Sequence, residues 1–204
     1  MNRHHAIKDN ILIGVTTRGH ISVGTVQFLR KQHYDIFFAS EGISATIARN
    51  IVCRHFLKGT WSHLFFIDDD IRPPEHVIDT LLGYEKQVIC ANYLLFLDGH
   101  LHPAAYKKAK DTYESYCMGE IGMKEVDAIG LGACLIEREV IEKAMAKDCF
   151  TFEYDEDGYL SKGEDITFSE CVKKLGYPIH YDFNTMCRHV KQIDLCDIEM
   201  FLTS

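Results

Sequence analysis

Apolar positions in this chain follow two rhythms: short runs rich in β-branched residues, and longer stretches with apolar residues three or four apart. The first run, Ile11-Leu12-Ile13-Gly14-Val15-Thr16-Thr17, reads as a strand that ends at Arg18-Gly19 as a turn would. Ser22 can cap a helix over about 23–32, and Asp35-Ile36-Phe37-Phe38-Ala39 reads as a second strand. From Ser44 to Leu57, Ile47, Ile51, Val52 and Phe56 recur at helical spacing, which sets Arg49 and Asn50 on a different face. Residues 63–67 form a third strand. Pro74 fits the first turn of a helix with the stripe Val77, Ile78, Leu81 and Leu82, and residues 88–93 form a fourth strand.

This alternation predicts an α/β fold with a mostly parallel sheet covered by helices on both faces. The rhythm breaks over 94–128, where a loop and a few antiparallel strands, such as 104–106 and 125–128, are expected as a smaller second sheet. It resumes with a turn at Gly130-Leu131-Gly132, a strand over 133–136 and a helix over 138–146. Residues 150–159 alternate aromatic and acidic types, which suits an exposed strand or loop. Gly163-Glu164-Asp165 opens a helix carrying Ile166, Phe168, Cys171, Val172 and Leu175, which Gly176 ends before a last strand over 179–183.

At 204 residues the chain suits one domain, with a nucleotide-binding part over about 11–93, a second part over about 94–190 and a tail over 191–204. A formal net charge of -8 argues against non-specific binding to nucleic acid or acidic membranes, because both need a basic field. No run reaches the roughly 18–20 apolar residues of a membrane span, and the first ten residues are polar, so a soluble, cytoplasmic protein is expected. The eight cysteines show no Cys-x-x-Cys pair. Cys53, Cys90, Cys134 and Cys171 sit among apolar neighbours and read as reduced packing residues, and Cys187-Arg188-His189 lacks the further ligands of a zinc site.

The densest chemistry follows the third strand, where Phe65-Phe66-Ile67 runs into Asp68-Asp69-Asp70. Three adjacent carboxylates repel one another unless a cation compensates them, and the carboxyl edge of an open α/β sheet is where ligands bind. Taken alone the triplet also fits a solvated acidic turn; the strand before it and Pro73-Pro74 behind it place it at a strand-to-helix junction. Thr16, Thr17 and Arg18 end the first strand at the same edge.

The order of these motifs resembles the GT-A-type glycosyltransferases that use nucleotide-sugar donors. The likeness runs over about 11–190: Thr16-Thr17-Arg18-Gly19, Ala48-Arg49-Asn50, the Asp-x-Asp of Asp68 to Asp70, Gly130-Leu131-Gly132-Ala133, Glu164-Asp165 and a late His189. It implies transfer of a sugar to an acceptor hydroxyl on a glycan, protein or small molecule. A divalent cation, Mn²⁺ or Mg²⁺, would neutralise the departing diphosphate. Asp70 and His189 would ligate the metal, with Asp68 there or on the donor's ribose or sugar. Thr16, Thr17, Arg18, Arg49, Asn50, Asp69, Gly130 and Gly132 would line the nucleotide and donor pocket, and Asp165, aided by Glu164, would act as general base.

Each residue also has a plainer reading. Glu164 and Asp165 complement a helix dipole, a single histidine serves packing, Arg49 and Asn50 suit an exposed helix, and the two glycines suit a tight turn. The family's base-contacting aspartate has no counterpart here, the nearest acid being Glu41. His100 and His102 share a strand face without a third ligand, and Phe96, Tyr106, Tyr113 and Tyr116 suit either sugar stacking or packing of the second sheet. A nucleotidyltransferase of the same fold would carry a glycine-rich basic loop, which residues 16–24 lack. A non-catalytic nucleotide-sugar binder remains the alternative, and a zinc hydrolase lacks its paired-ligand motif.

Overall fold

A computed structural model describes residues 10–40, 44–97, 99–110 and 112–191; Glu41 and the tail from 192 onward lie outside the described residues. The chain begins with β1 (Ile11–Thr16), α1 (Val23–Leu29), β2 (Asp35–Ala39), α2 (Ala45–Lys58), β3 (His63–Asp68) and β4 (Ile71–Arg72). α3 (Val77–Leu82) and β5 (Val88–Asn92) complete its alternating part. Six strands come next without a helix: β6 (Leu94–Leu97), β7 (His100–Pro103), β8 (Ala105–Ala109), β9 (Thr112–Ser115), β10 (Met123–Val126) and β11 (Ala128–Ile129). The remainder is β12 (Ala133–Glu137), α4 (Arg138–Met145), β13 (Glu153–Tyr154), β14 (Leu160–Lys162), α5 (Glu164–Lys174), β15 (Ile179–Met186) and β16 (Arg188–His189).

The central sheet has seven strands in the order β10-β15-β5-β12-β3-β1-β2. β1 runs parallel to β2 and β3, and β15 parallel to β5; β12 is antiparallel to both neighbours, and β10 closes one edge antiparallel to β15. The expected mostly parallel α/β sheet is therefore present. The reversal of β12 puts Gly130-Leu131-Gly132 at the edge where β1, β3 and β5 end. Alternate strand residues feed two cores, as a sheet buried on both faces requires. Phe65 and Ile67 pack with Phe28, Val77 and Leu81, whereas Leu64 and Phe66 pack with Val52, Phe56, Val140 and Phe168.

Several expectations change. The strand expected over 125–128 is divided: β10 joins the central sheet, while β11 pairs with β8 in a three-stranded sheet. Asp127, between them, accepts the Lys108 backbone N–H at 2.9 Å and pairs with Lys173. On α2, Arg49 is buried with Val52, Cys53 and Phe56, whereas Ile47 is 38% exposed. The helix turns its cation inward because the carboxylates of Asp68 and Glu164 meet it there. Cys171 is not a free thiol; it forms a disulfide with Cys149 that ties the loop after α4 to α5. The last sheet strand continues to Met186, and the residues beyond it form β16, antiparallel to β4.

Phe150, expected in an exposed segment, is 1% exposed. Its ring stacks on Phe168 at 4.6 Å and meets Phe66 edge-on at 5.9 Å, joining α5 to the sheet. Phe150→Ala should cost about 3–5 kcal/mol through the cavity it leaves. Urea unfolding at neutral pH measures this, and a loss below about 1 kcal/mol would show a surface position.

Candidate active site

Adjacent ends of β1 and β3 bring Thr16 and Asp68 into register. The Thr16 hydroxyl donates to Asp68 Oδ1 at 2.5 Å, and the Asp68 backbone N–H donates to the Gly132 carbonyl at 3.1 Å. Behind them stands Arg49 on α2, only 3% exposed. Its Nη2 donates to Asp68 Oδ1 at 3.1 Å, and its Nε donates to Glu164 Oε1 at 3.3 Å. Burial works against the Arg49 charge, but Asp68 and then Glu164 outweigh it and raise its pKa. The guanidinium also lies 5.2 Å over the Phe66 ring, so it remains cationic and clamps β3 to the start of α5.

Asp70 lies beyond the clamp. Its Oδ2 faces His189 Nε2 at 3.3 Å, across 119 positions of sequence, and accepts from Lys191 Nζ at 2.6 Å. Burial would raise the Asp70 pKa, but the contacts with His189 and Lys191 prevail and hold it down to about 2. His189 Nδ1 stands 2.8 Å from the Leu94 carbonyl. A carbonyl only accepts, so Nδ1 carries a proton toward Leu94, and Nε2 is the ring nitrogen that faces the Asp70 carboxylate. One carboxylate oxygen and one imidazole nitrogen thus lie 3.3 Å apart, and this pair of donor types would suit Mn²⁺ or Mg²⁺ when ligand oxygens complete the shell.

Glu164 and Asp165 occupy the first turn of α5. Asp165 Oδ1 accepts the Ile166 backbone N–H at 2.9 Å. Burial, followed by the neighbouring Glu164 charge, pushes the Asp165 pKa up to about 6 despite Arg49. The two acids differ in what answers them. Glu164 is the partner of Arg49, and Asp165 is a half-buried carboxylate that holds its proton more tightly than an ordinary aspartate.

Thr16, Thr17, Arg18, Arg49, Asp68, Asp69, Asp70, Glu164, Asp165 and His189 all line one cleft of about 680 Å³. A groove of about 740 Å³ elsewhere holds none of them. Within the cleft some residues serve its shape. Asp69 Oδ2 accepts the Arg18 backbone N–H at 3.1 Å, and Thr17 Oγ1 donates to the His20 carbonyl at 3.1 Å. Asn50 is not brought to the cleft: its Nδ2 is spent on the Thr46 and Phe150 carbonyls at 3.0 and 3.1 Å.

Gly130 and Gly132 make room for Tyr93. A Cβ at Gly130 would stand 2.1 Å from the Tyr93 hydroxyl oxygen, and one at Gly132 would stand 3.0 Å from its ring and 3.1 Å from Asp68 Oδ2. Tyr93 also meets the His189 ring edge-on at 5.5 Å. Tyr93 and Lys191 are cleft residues that the linear pattern does not single out. A position just past β5 is the signal for the first, and the i, i+2 spacing from His189, which shares a face in extended chain, is the signal for the second. Among the described residues no three His, Cys, Asp or Glu side chains are grouped to hold a metal, which includes His100 and His102, 6.4 Å apart between ring centres. Tyr116 packs on Phe183, and Tyr113 donates to Glu170 at 2.9 Å.

No family model and no curated protein matches this sequence. Solved structures match its fold. A crystal structure of A197 from STIV aligns with a TM-score of 0.64 at 22% identity, over 90% of this chain and 86% of that one. A crystal structure of GalNAc-T7 with UDP, GalNAc and Mn²⁺ aligns with a TM-score of 0.55 at 10% identity, over 91% of this chain and 44% of that one. This chain therefore spans less than half the length of GalNAc-T7, a GT-A glycosyltransferase, and its fold is GT-A-like. Among the described residues no helix is long and apolar enough to cross a membrane.

If Arg49 is the clamp, Arg49→Met should cost about 3–5 kcal/mol, because two carboxylates lose a buried partner. Adding Glu164→Gln should recover part of that loss. Denaturant unfolding of the cycle decides: additive losses would show that Arg49 and Glu164 do not act as a pair.

Proposed function

We propose that this protein is a divalent-metal-dependent glycosyltransferase, moving a sugar from a nucleoside-diphosphate sugar to an acceptor hydroxyl. The observation that carries this is the convergence of Asp70 and His189 at 3.3 Å in the cleft that also holds Asp165. The acidic turn after β3, strand β16 and the first turn of α5 supply these three groups, and packing alone does not require them to meet. GalNAc-T7, crystallised with UDP, GalNAc and Mn²⁺, has the same type of fold and supports the choice of ligands.

Bound Mn²⁺ or Mg²⁺ would supply Lewis-acid stabilisation for charge building on the departing diphosphate. Asp70 and His189 are the residues that would hold it. Asp68, fixed by Thr16 and Arg49, presents a carboxylate edge suited to ribose or sugar hydroxyls. The cleft floor is kept in shape by the Arg49 clamp, so donor and acceptor meet groups already in place. Asp165 accepts the proton of the acceptor hydroxyl as its oxygen forms the new bond to the anomeric carbon. Its pKa of about 6 leaves it ionised, and a stronger base than an ordinary carboxylate, at neutral pH.

One observation favours a second reading, a metal-independent site: Lys191 Nζ already sits 2.6 Å from Asp70 and supplies a cation there. Calorimetry with a panel of nucleoside diphosphates, with Mn²⁺ or with excess chelator, separates the two. Metal dependence predicts that chelation weakens binding by about tenfold or more, as does Asp70→Asn or His189→Ala. The two substitutions together should cost less than the sum of their separate effects, because they share one ion. Equal binding with and without chelator would remove the metal and favour Lys191.

The pH profile tests the base. Transfer should rise with pH through about 6, and Asp165→Asn should lose about 10²- to 10⁴-fold in kcat while keeping donor affinity. The stability sign is opposite to that of most carboxylates. A folded pKa above the ordinary 3.8 means that ionisation opposes folding, with the penalty absent at acid pH and developing as pH rises through about 6. Asp165→Asn should therefore unfold at a higher denaturant concentration than the wild type above about pH 7. A variant with normal transfer would reduce Asp165 to a helix-dipole partner.

A further inference from the structure

The ribbon β4–β16 has two sides. Asp70 and His189 serve the cleft, whereas Arg72 and Arg188 face a separate groove of about 740 Å³. Arg30 and Lys31 of the α1 end, together with Glu75, complete the charged lining of that groove. Four cations against one carboxylate is an unusual concentration in a chain of net charge -8. The single carboxylate is already engaged, since Glu75 accepts from Lys31 Nζ at 2.6 Å. Among the described residues, none of Arg30, Arg72 and Arg188 has a carboxylate partner.

A second observation is independent of that composition. Arg72 and Arg188 are register partners in the two-residue ladder, so two like charges stand directly opposite each other. Such pairing is unfavourable unless something anionic lies between them. Arg72 is also held in place rather than loose in solvent: a Cβ at Gly24 would stand 2.7 Å from its Cδ, so the side-chain stem lies against the α1 backbone. A phosphate between two guanidiniums satisfies both through paired, charge-assisted hydrogen bonds.

The groove continues into a mainly apolar hollow of about 410 Å³, which shares Met186 and Arg188 with it, is lined by Leu94, Leu101 and Cys187, and borders the cleft at His189 and Lys191. Leu101 is 51% and Met186 43% exposed, so apolar surface lies next to the arginine pair. We propose that this groove binds a phosphate-bearing amphiphile, with Arg72 and Arg188 flanking the phosphate and the hollow holding its apolar chain. The phosphate end of the site is independent of the transferase reading, because neither Arg72 nor Arg188 is assigned to the reaction, whereas the hollow meets the cleft at His189 and Lys191.

Calorimetry in excess chelator, which denies the cleft any divalent cation, tests it with three soluble probes. Dihexanoyl phosphatidic acid has both parts of the ligand, glycerol 3-phosphate only the phosphate, and dihexanoyl phosphatidylcholine the chains with a neutral headgroup. Phosphatidic acid should bind saturably and about tenfold or more tighter than glycerol 3-phosphate, with no detectable binding of phosphatidylcholine. Arg72→Gln and Arg188→Gln should each weaken it about tenfold or more, while Asp165→Asn leaves it unchanged. On the wild-type protein, the phosphorus NMR line of phosphatidic acid should shift saturably, a readout that needs no variant to fold. No saturable shift, or full binding by the double arginine variant, would overturn the site. Equal affinity for phosphatidic acid and glycerol 3-phosphate would overturn the amphiphile. A separate titration of nucleoside diphosphate with Mn²⁺ on the double arginine variant reports on the cleft, so failure at one site is not mistaken for failure at the other.

Discussion

Asp68, Asp69, Asp70, Glu164 and Asp165 reach one sheet edge from two directions, and the way their charge is compensated governs how that edge can be built. Arg49 answers two of them at once and is buried in doing so. A guanidinium removed from water is costly, and the cost is offset only when good partners surround it. With both carboxylates present, the arginine joins α2, β3 and α5 into a fixed floor. Asp69 is answered by the Arg18 backbone, and Asp70 by His189 and Lys191. Asp165 is answered least, and desolvation, followed by the Glu164 charge, raises its pKa. The acids that are well paired hold shape, and the one that is poorly paired retains the capacity to take a proton.

Much of this arrangement is legible in the linear pattern. Runs of β-branched residues and helical stripes locate the main strands and helices through β5, because each buries a face of fixed period. The Asp triplet, Glu164-Asp165 and His189 stand out as chemistry at element ends. Residues 94–128 are harder: they form short strands in three different sheets, and pairs of that length are set by tertiary partners rather than by periodicity. The split at Asp127 is a case in point, since its partner Lys173 lies on α5, 46 positions away.

The residues whose direction the pattern misses have a common cause. Arg49 and Phe150 are expected at exposed positions because charged residues and acidic surroundings usually are. Each is buried by partners remote in sequence, Arg49 by Glu164 and Phe150 by Phe168. Asn50 departs in the opposite way: its amide bonds the Phe150 carbonyl 100 positions on, so a residue expected in the pocket instead fastens α2 to the loop beyond α4. Tyr93 is invisible as a site residue because its role depends on the space two glycines leave for it. In each case residue type is correct evidence about chemistry and weak evidence about direction.

The late arrival of His189 raises the question of what fixes it, since β4–β16 is a ladder of only two residue pairs. Main-chain bonds from the body of the domain provide the answer. The Cys187 N–H donates to the Asn92 carbonyl at 2.6 Å, and the Val190 N–H donates to the Asp70 carbonyl at 2.9 Å, so the backbone is held on both sides of the histidine. The Leu94 carbonyl then accepts from Nδ1 and fixes the ring's orientation. Tyr181 Oη accepts the Tyr93 N–H at 3.0 Å and donates to Asn92 Oδ1 at 3.1 Å, bracing the end of β5 from within the core. The imidazole is therefore aimed by the junction of β5 and β6, although it is carried by the chain's last described strand. A side chain held in this way loses little freedom on binding, so in the metal-dependent reading proposed above Asp70 and His189 would be preorganised by the fold rather than gathered by the ion.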